Sequence, residues 1–113
     1  MQRRSKLYIA DILDCIKKVE EYVGDLSLDE VFKDDKTSDA VLRNIMIIGE
    51  AVSQLSSSFK DNHSNVPWQK IKDLRNIVIH KYRKIDFEII QDVIKNKLPE
   101  LKEQMEEILS GLE

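Results

Sequence analysis

The scarcity of glycine and proline constrains this chain more than any other feature of its sequence. The chain has 3 glycines and 2 prolines among 113 residues, whereas average usage predicts about 8 and about 6. Few such residues indicate few turns, which favours a small number of long helices. We expect residues 1–113 to form a single all-α domain, an antiparallel bundle of four to five helices.

The composition excludes several classes of protein. Hydrophobic residues make up 42% of the chain and charged residues 35%, which is too apolar for disorder and too charged for a membrane protein. Asp11 and Asp14 interrupt the apolar stretch that a signal peptide would need after the basic start. Cys15 is the single cysteine, so neither an intrachain disulfide nor a cysteine metal cluster can form. We expect a cytoplasmic protein with no membrane segment, metal or cofactor.

The first half of the chain predicts three helices from apolar residues at helical spacing. The first helix ends near Gly24, and Ser27 is the expected N-cap of a short second helix. A charged loop, residues 33–36, precedes a third helix that Thr37 or Ser38 caps. The third helix is apolar around most of its circumference, so we expect it to be central and contacted from more than one side.

The second half begins with a polar connector over residues 56–65. Pro67 suits the first position of a fourth helix, because its missing amide would be unpaired there. Asp86 is the predicted N-cap of a last helix, which Pro99 breaks or kinks. Within the third helix, Gly49 costs about 1 kcal/mol relative to alanine, which indicates close approach of another backbone.

Positive charge is concentrated in the fourth helix and the residues that follow it. Residues 69–84 carry six basic side chains and one acidic one, a net +5, while the rest of the chain carries twelve and twenty, a net −8. The total of −3 therefore conceals a local site that can attract anions such as the phosphates of a nucleic acid.

The fourth helix separates its apolar and polar residues by position around its axis. At about 100° per residue, one arc holds the expected core residues, namely Ile71, Leu74 and Val78. Arg75, Asn76 and His80 point to a different surface. Ile79 and Trp68 fall within that same surface, which indicates a covering partner, and a second copy of the chain is the simplest one.

These polar residues suit the cleavage of RNA without a metal ion. The Arg75 guanidinium offers a permanently charged fork for phosphate oxygens, and His80 can give or take a proton near neutral pH. Attack by the 2′-hydroxyl needs a base, an acid and positive charge at the phosphorus. A homodimer that brings two Arg75 and two His80 into one cleft would supply all three, with Asn76 and Lys72 as supporting or substrate-binding residues.

The segment from Arg75 to Tyr82 is an R-x4-H-x-Y motif that resembles the signature of HEPN-domain ribonucleases, specifically the HepT-like toxins. Four further blocks resemble that family in the same order, and they are Ala-Val-Leu-Arg-Asn at 40–44, Ile-Gly-Glu-Ala at 48–51, Val-Pro-Trp at 66–68 and Leu-Pro-Glu-Leu at 98–101. The resemblance covers nearly the whole chain.

The resemblance implies a helical bundle that dimerises through its motif face and cleaves RNA without metal. It also implies an antitoxin partner, a minimal nucleotidyltransferase of the MntA type, which transfers AMP from ATP to Tyr82. AMP adds bulk and negative charge two residues from His80, where the substrate phosphate would bind. Unmodified Tyr82 would be able to stack on an RNA base.

Each of these residues also has a simpler interpretation. His80 can be a surface histidine favoured by the helix dipole, and His63 a loop residue. Arg75 can form a salt bridge to Asp73 or to a residue of the neighbouring helix. Glu50 can be one member of such a pair, or it can orient Arg75 or His80. For the whole protein, the alternative is a catalytically inactive HEPN module that binds a nucleotidyltransferase or a nucleotide.

Overall fold

A computed structural model describes residues 2–80 and 87–112 of the chain, with side-chain surroundings for residues 3–78 and 88–112. Every element in these ranges is helical, which confirms the predicted all-α class. The elements are α1 (Gln2–Val23), α2 (Leu28–Lys33), α3 (Asp35–Gln54), α4 (Ser57–Asn62), α5 (Trp68–His80), α6 (Phe87–Asp92), a π-helical turn (Val93–Lys97) and α7 (Leu98–Leu112). The predicted N-cap Asp86 lies outside the described residues.

Helix α3 is the centre of the bundle, as its apolar circumference predicts. It packs against α1 on one side and α5 on another, and α1 in turn packs against α7. The beginning of α1 and the end of α3 line one groove through Tyr8 and Gln54, so these two helices are antiparallel. The largest fully buried side chains come from α1, α2, α3, α6 and α7, and they are Ile9, Ile12, Ile16, Val19, Val31, Val41, Ile45, Ile48, Val52, Ile90 and Met105.

The predicted end of α1 and start of α2 are confirmed. Gly24 has φ +50°, a left-handed conformation that ends helices and suits glycine. The Ser27 hydroxyl accepts a hydrogen bond from the Glu30 N–H at 3.1 Å, and the Glu30 carboxylate accepts one from the Ser27 N–H at 3.1 Å. This capping box lowers the pKa of Glu30, chiefly through the bond from the Ser27 backbone.

The prediction of a charged loop at residues 33–36 is wrong. Only Asp34 leaves the helical conformation, with φ −100° and ψ 107°, and it is the N-cap of α3 in place of the predicted Thr37 or Ser38. The Thr37 hydroxyl instead donates a hydrogen bond to the Asp34 carboxylate. Acidic residues are favourable at a helix N-terminus, so Asp35 suits the first turn of α3 as well as it would suit a loop.

The connector predicted at residues 56–65 contains a helix, α4. The Ser56 hydroxyl caps it by accepting a hydrogen bond from the Phe59 N–H at 3.2 Å. Phe59 is buried, and its ring lies against the rings of His63 and Trp68. A single aromatic residue among many polar ones therefore anchors this segment to the core.

The outward position predicted for Trp68 is also wrong, because α4 covers it. Trp68 is only 8% exposed. Its indole N–H donates to the carbonyl oxygens of Lys60 and His63, at 3.2 and 3.0 Å. The periodicity of α5 alone carries no information about this neighbour, so Trp68 gives no support to a covering second copy.

The two prolines mark helix boundaries. Pro67 lies just before α5, not in its first position, and its carbonyl accepts the Ile71 N–H at 3.1 Å. Pro99 lies just after the π-helical turn, in which the Leu98 N–H bonds to the Val93 carbonyl. Proline has no N–H to donate to the carbonyl four residues earlier, and a widened turn accommodates that loss. The last helix is therefore not broken at Pro99, but it is perturbed just before the proline by a π-helical turn whose flanking residues, Asp92 and Leu98, keep helical backbone angles.

Helices α3 and α5 approach each other closely at Gly49. A Cβ atom at Gly49 would lie 2.9 Å from the backbone nitrogen of Arg75, 3.0 Å from its Cβ and 3.2 Å from the carbonyl oxygen of Lys72. This confirms the expected close backbone contact and the interpretation of Gly49 as a helix-packing residue. The absence of a side chain at Gly49 thus sets where the backbone of Arg75 lies.

We predict that Gly49→Ala destabilises the protein by about 1–3 kcal/mol, because the added methyl group forces α3 and α5 apart. Urea denaturation measures this change. Gly111→Ala is the matched control, since nothing lies within 4 Å of a Cβ there, and it should be neutral or stabilising by up to about 1 kcal/mol. Equal effects of the two substitutions would contradict the packing role of Gly49.

Candidate active site

Arg75 lies on the exposed side of the crossing between α3 and α5. Its Nε atom is 3.2 Å from a carboxylate oxygen of Glu50, and the two side chains are 50% and 47% exposed. Of the two partners considered for Arg75, the residue of the neighbouring helix is therefore the observed one. Asp73 instead accepts a hydrogen bond from the Gln69 amide at 3.0 Å.

The Glu50–Arg75 pair orients the guanidinium more than it stabilises the fold. Exposed ion pairs contribute about 0–1 kcal/mol, because water screens both charges. With its backbone close to Gly49 and its Nε atom beside Glu50, the Arg75 side chain still has half its surface open to solvent. This arrangement presents a positive fork that an incoming phosphate can contact.

The remainder of α5 divides as its periodicity predicts. The predicted core arc is buried, and its members are Ile71, Leu74 and Val78. Lys72 and Asn76 are exposed, and they are four residues apart, so they share one face of the helix. Arg75 and Asn76 thus reach solvent from the same helix, as expected.

The other two predicted site residues cannot be placed beside these. His80 is the last residue of α5, but its side chain, like that of Ile79, is outside the described surroundings. Tyr82 lies outside the described residues. The predictions for His80 and Tyr82 therefore stay predictions.

A groove of about 600 Å³ between α1 and α3 has Arg75 in its lining. One wall carries Asp11, Asp14 and Lys18 of α1, and the other carries Glu50 of α3. The sequence analysis missed the acidic wall because Asp11 and Asp14 lie among the polar residues of an amphipathic helix. No pattern within α1 distinguishes groove residues from a solvated face.

Asn44 and Cys15 are groove residues with little exposure. Asn44 is 7% exposed, and its amide nitrogen donates to the Ala40 carbonyl at 2.8 Å. Cys15 is 6% exposed, and burial raises the pKa of its thiol. Asn44 belongs to the block 40–44 that resembles the family, but the sequence assigns it no role of its own.

The positive charge of α5 affects the pKa of a lysine on the neighbouring helix α4. Burial, together with the charge of Lys72, lowers the pKa of Lys60 on α4. Burial is the larger cause, and the like charge of Lys72 adds to it because it disfavours a second protonated lysine nearby. The start of α5 carries two exposed lysines, Lys70 and Lys72, whereas three carboxylates and Lys18 line the groove beside Arg75.

Neither a metal-binding cluster nor a membrane-spanning helix is found among the described residues. Within residues 2–80 and 87–112, no group of three or more His, Cys, Asp or Glu side chains is arranged to hold a metal ion. None of the helices described is both long and apolar enough to cross a membrane.

Comparison with known proteins assigns the chain to a family. The model of the family described as "Ribonuclease HepT-like" matches residues 12–108. The chain belongs to the HepT-like ribonuclease family. The match includes Glu50, Arg75, His80 and Tyr82, and its length confirms the assignment that the R-x4-H-x-Y motif and the flanking blocks suggested.

Several relatives of this HepT-like chain carry ribonuclease names. A protein of Thermococcus cleftensis named "Probable ribonuclease HepT" is 32% identical over 96% of this chain and 98% of its own length. A Methanocaldococcus jannaschii protein named as a candidate RNase is 38% identical over 96% of this chain and 89% of its own length.

A third relative is a longer protein. It comes from M. jannaschii, is named as a gamma-glutamylcyclotransferase and candidate RNase, and is 35% identical over 100% of this chain. The HepT-like chain spans about half of its length, 51%. No solved structure is significantly similar to the chain.

Proposed function

We propose that this HepT-like chain is a metal-independent endoribonuclease, with Arg75 and His80 as its catalytic residues. The observation that carries the proposal is the half-exposed Arg75 side chain, which lies at the α3–α5 crossing in the lining of a groove. The family and the names of the relatives support RNA as the substrate. His80 follows one and a half turns later on the same helix.

In the proposed reaction, the ribose 2′-oxygen attacks the adjacent phosphorus and the bond to the 5′-oxygen breaks. A base takes the proton of the 2′-hydroxyl, and an acid gives a proton to the leaving 5′-oxygen. The products are a 2′,3′-cyclic phosphate and a 5′-hydroxyl. Arg75 would stabilise the extra negative charge that forms on the phosphate oxygens.

Because each chain has one histidine in this motif, we propose a homodimer in which two His80 side chains share one cleft. One would act as the base and the other as the acid. Asn76 lies four residues before His80, so it is placed to position either the imidazole or the substrate. Lys72, on the face of Asn76, would bind a neighbouring phosphate.

We predict that Arg75→Ala and His80→Ala each lower the rate of RNA cleavage by about 10²- to 10⁴-fold, because each removes a group acting in the transition state. Single-turnover cleavage of a labelled RNA measures the rates. His63→Ala is the matched control, since His63 is the only other histidine, and it should retain the wild-type rate. If His63→Ala and His80→Ala behave alike, His80 has no catalytic role.

Glu50 acts, in this proposal, as a positioning residue for Arg75. We predict that Glu50→Gln, which keeps the shape and removes the charge, lowers kcat about tenfold and changes the free energy of unfolding by at most about 1 kcal/mol. In an Arg75→Ala background, the same substitution should have no further effect on kcat, which a double-mutant cycle measures. Unchanged cleavage with clear destabilisation would make the pair purely structural.

We also propose that the chain is the toxin of a toxin–antitoxin pair, and that an MntA-like nucleotidyltransferase blocks it by attaching AMP to Tyr82. The support is the family membership and the R-x4-H-x-Y motif. In the attachment, the Tyr82 oxygen bonds to the α-phosphorus of ATP, and pyrophosphate leaves with the phenolic proton passing to solvent.

We predict that incubation with such a nucleotidyltransferase and ATP adds the mass of AMP to the wild-type chain and abolishes its RNA cleavage. Intact-mass spectrometry should show the same addition to Tyr22→Phe, which removes an exposed tyrosine elsewhere on the surface. Tyr82→Phe should gain no mass. An AMP adduct on Tyr82→Phe would refute Tyr82 as the acceptor.

A further inference from the structure

A second groove, of about 580 Å³, adjoins the one that Arg75 lines. It lies at the start of α1 and is lined by Arg3, Arg4, Tyr8 and Gln54, among others. Tyr8 and Gln54 also line the first groove. The two grooves therefore meet at Tyr8 and Gln54, along the seam between α1 and α3, and together we call them the seam groove.

The far end of the seam groove is basic. Arg3 and Arg4 are both exposed on the first turn of α1, where the helix N-terminus adds partial positive charge. Arg4 and the groove residue Cys15 are eleven residues apart on α1, about 16 Å along the helix axis. The two arginines thus form a basic end of the seam groove, separated along α1 from the residues at its other end.

Tyr8 and the acidic middle of the groove suit bases better than phosphates. Tyr8 is half-buried at the junction, and an aromatic ring can stack on any base. The carboxylates of Asp11 and Asp14 repel phosphate but accept hydrogen bonds from the amino groups of adenine, cytosine and guanine. Asn44, with its amide nitrogen bonded to Ala40, has an oxygen that accepts in the same way.

We propose that the seam groove binds the RNA strand beyond the cleavage site, with phosphates on Arg3 and Arg4 and a base stacked on Tyr8. The inference rests on the proposed ribonuclease function and makes its substrate a single strand of several nucleotides. Arg3, Arg4 and Tyr8 lie outside residues 12–108, which the family model matches.

The test measures the binding of two fluorescent oligonucleotides, a 12-mer and a trimer of 2′-O-methyl RNA, which cannot be cleaved because the 2′-oxygen is blocked. The variant is Arg3→Ala with Arg4→Ala, and both side chains are exposed, so the fold should be unaffected. The control removes the same charge, by Lys33→Ala with Lys36→Ala. Lys36 is 18 residues from Gln54 on α3, about 27 Å away along the axis.

For the arginine variant we expect the Kd of the 12-mer at 0.1 M salt to rise about tenfold or more. The slope of log Kd against log salt concentration should fall by about 1.4, since a single strand releases about 0.7 counterion per phosphate contact and two contacts are removed. The trimer should bind as it does to the wild type, because it is too short to reach both ends of the groove. The lysine control should bind both oligonucleotides normally.

An unchanged Kd and slope for the 12-mer, or an equal loss for the trimer, would overturn the inference. Equal losses in the arginine and lysine variants would do the same, since they would show only an effect of net charge. Because binding is measured without cleavage, the outcome is separate from the proposed reaction. If the chain binds the 12-mer through Arg3 and Arg4 but cuts no RNA, the inference about the seam groove stands and the proposed ribonuclease function is wrong.

Discussion

The contact between Gly49 and the backbone of Arg75 is the constraint on which the site depends. Helix α3 carries no side chain at this point, so α5 approaches until a Cβ atom at Gly49 would lie 2.9 Å from the Arg75 nitrogen. The next residue of α3, Glu50, is thereby brought to the Arg75 guanidinium. Gly49 thus determines both the position of the Arg75 backbone and the carboxylate, that of Glu50, which the Arg75 side chain contacts.

The distribution of charge follows from the same packing. The chain is acidic overall, at −3, yet α5 presents Lys72 and Arg75 to solvent while the α1–α3 seam presents Asp11 and Asp14. Arg75 lies at the boundary between the two. A phosphate approaching from the α5 side meets the positive charge of Lys72 and Arg75.

Features that depend on one helix could be predicted from the sequence, whereas features that depend on two helices could be predicted only in part. The helical class, the Ser27 cap and the perturbed turn before Pro99 follow from local spacing and backbone chemistry. Gly49 was informative because a glycine inside a long helix implies a close neighbour. Trp68 was misplaced because α4, which covers it, was interpreted as a polar connector. The Glu50–Arg75 pair was one of several options, because sequence spacing within a helix does not determine which residue of another helix lies opposite.

We propose that this chain cuts RNA by attack of the ribose 2′-hydroxyl, without help from a metal ion. Incubation of the purified wild-type protein with RNA in EDTA, followed by analysis of the product termini, is the decisive measurement. We expect cleavage that leaves 2′,3′-cyclic phosphate and 5′-hydroxyl ends. Intact RNA after incubation with folded protein, which is the behaviour of a binding module, or cleavage only after Mg²⁺ is added, would contradict it.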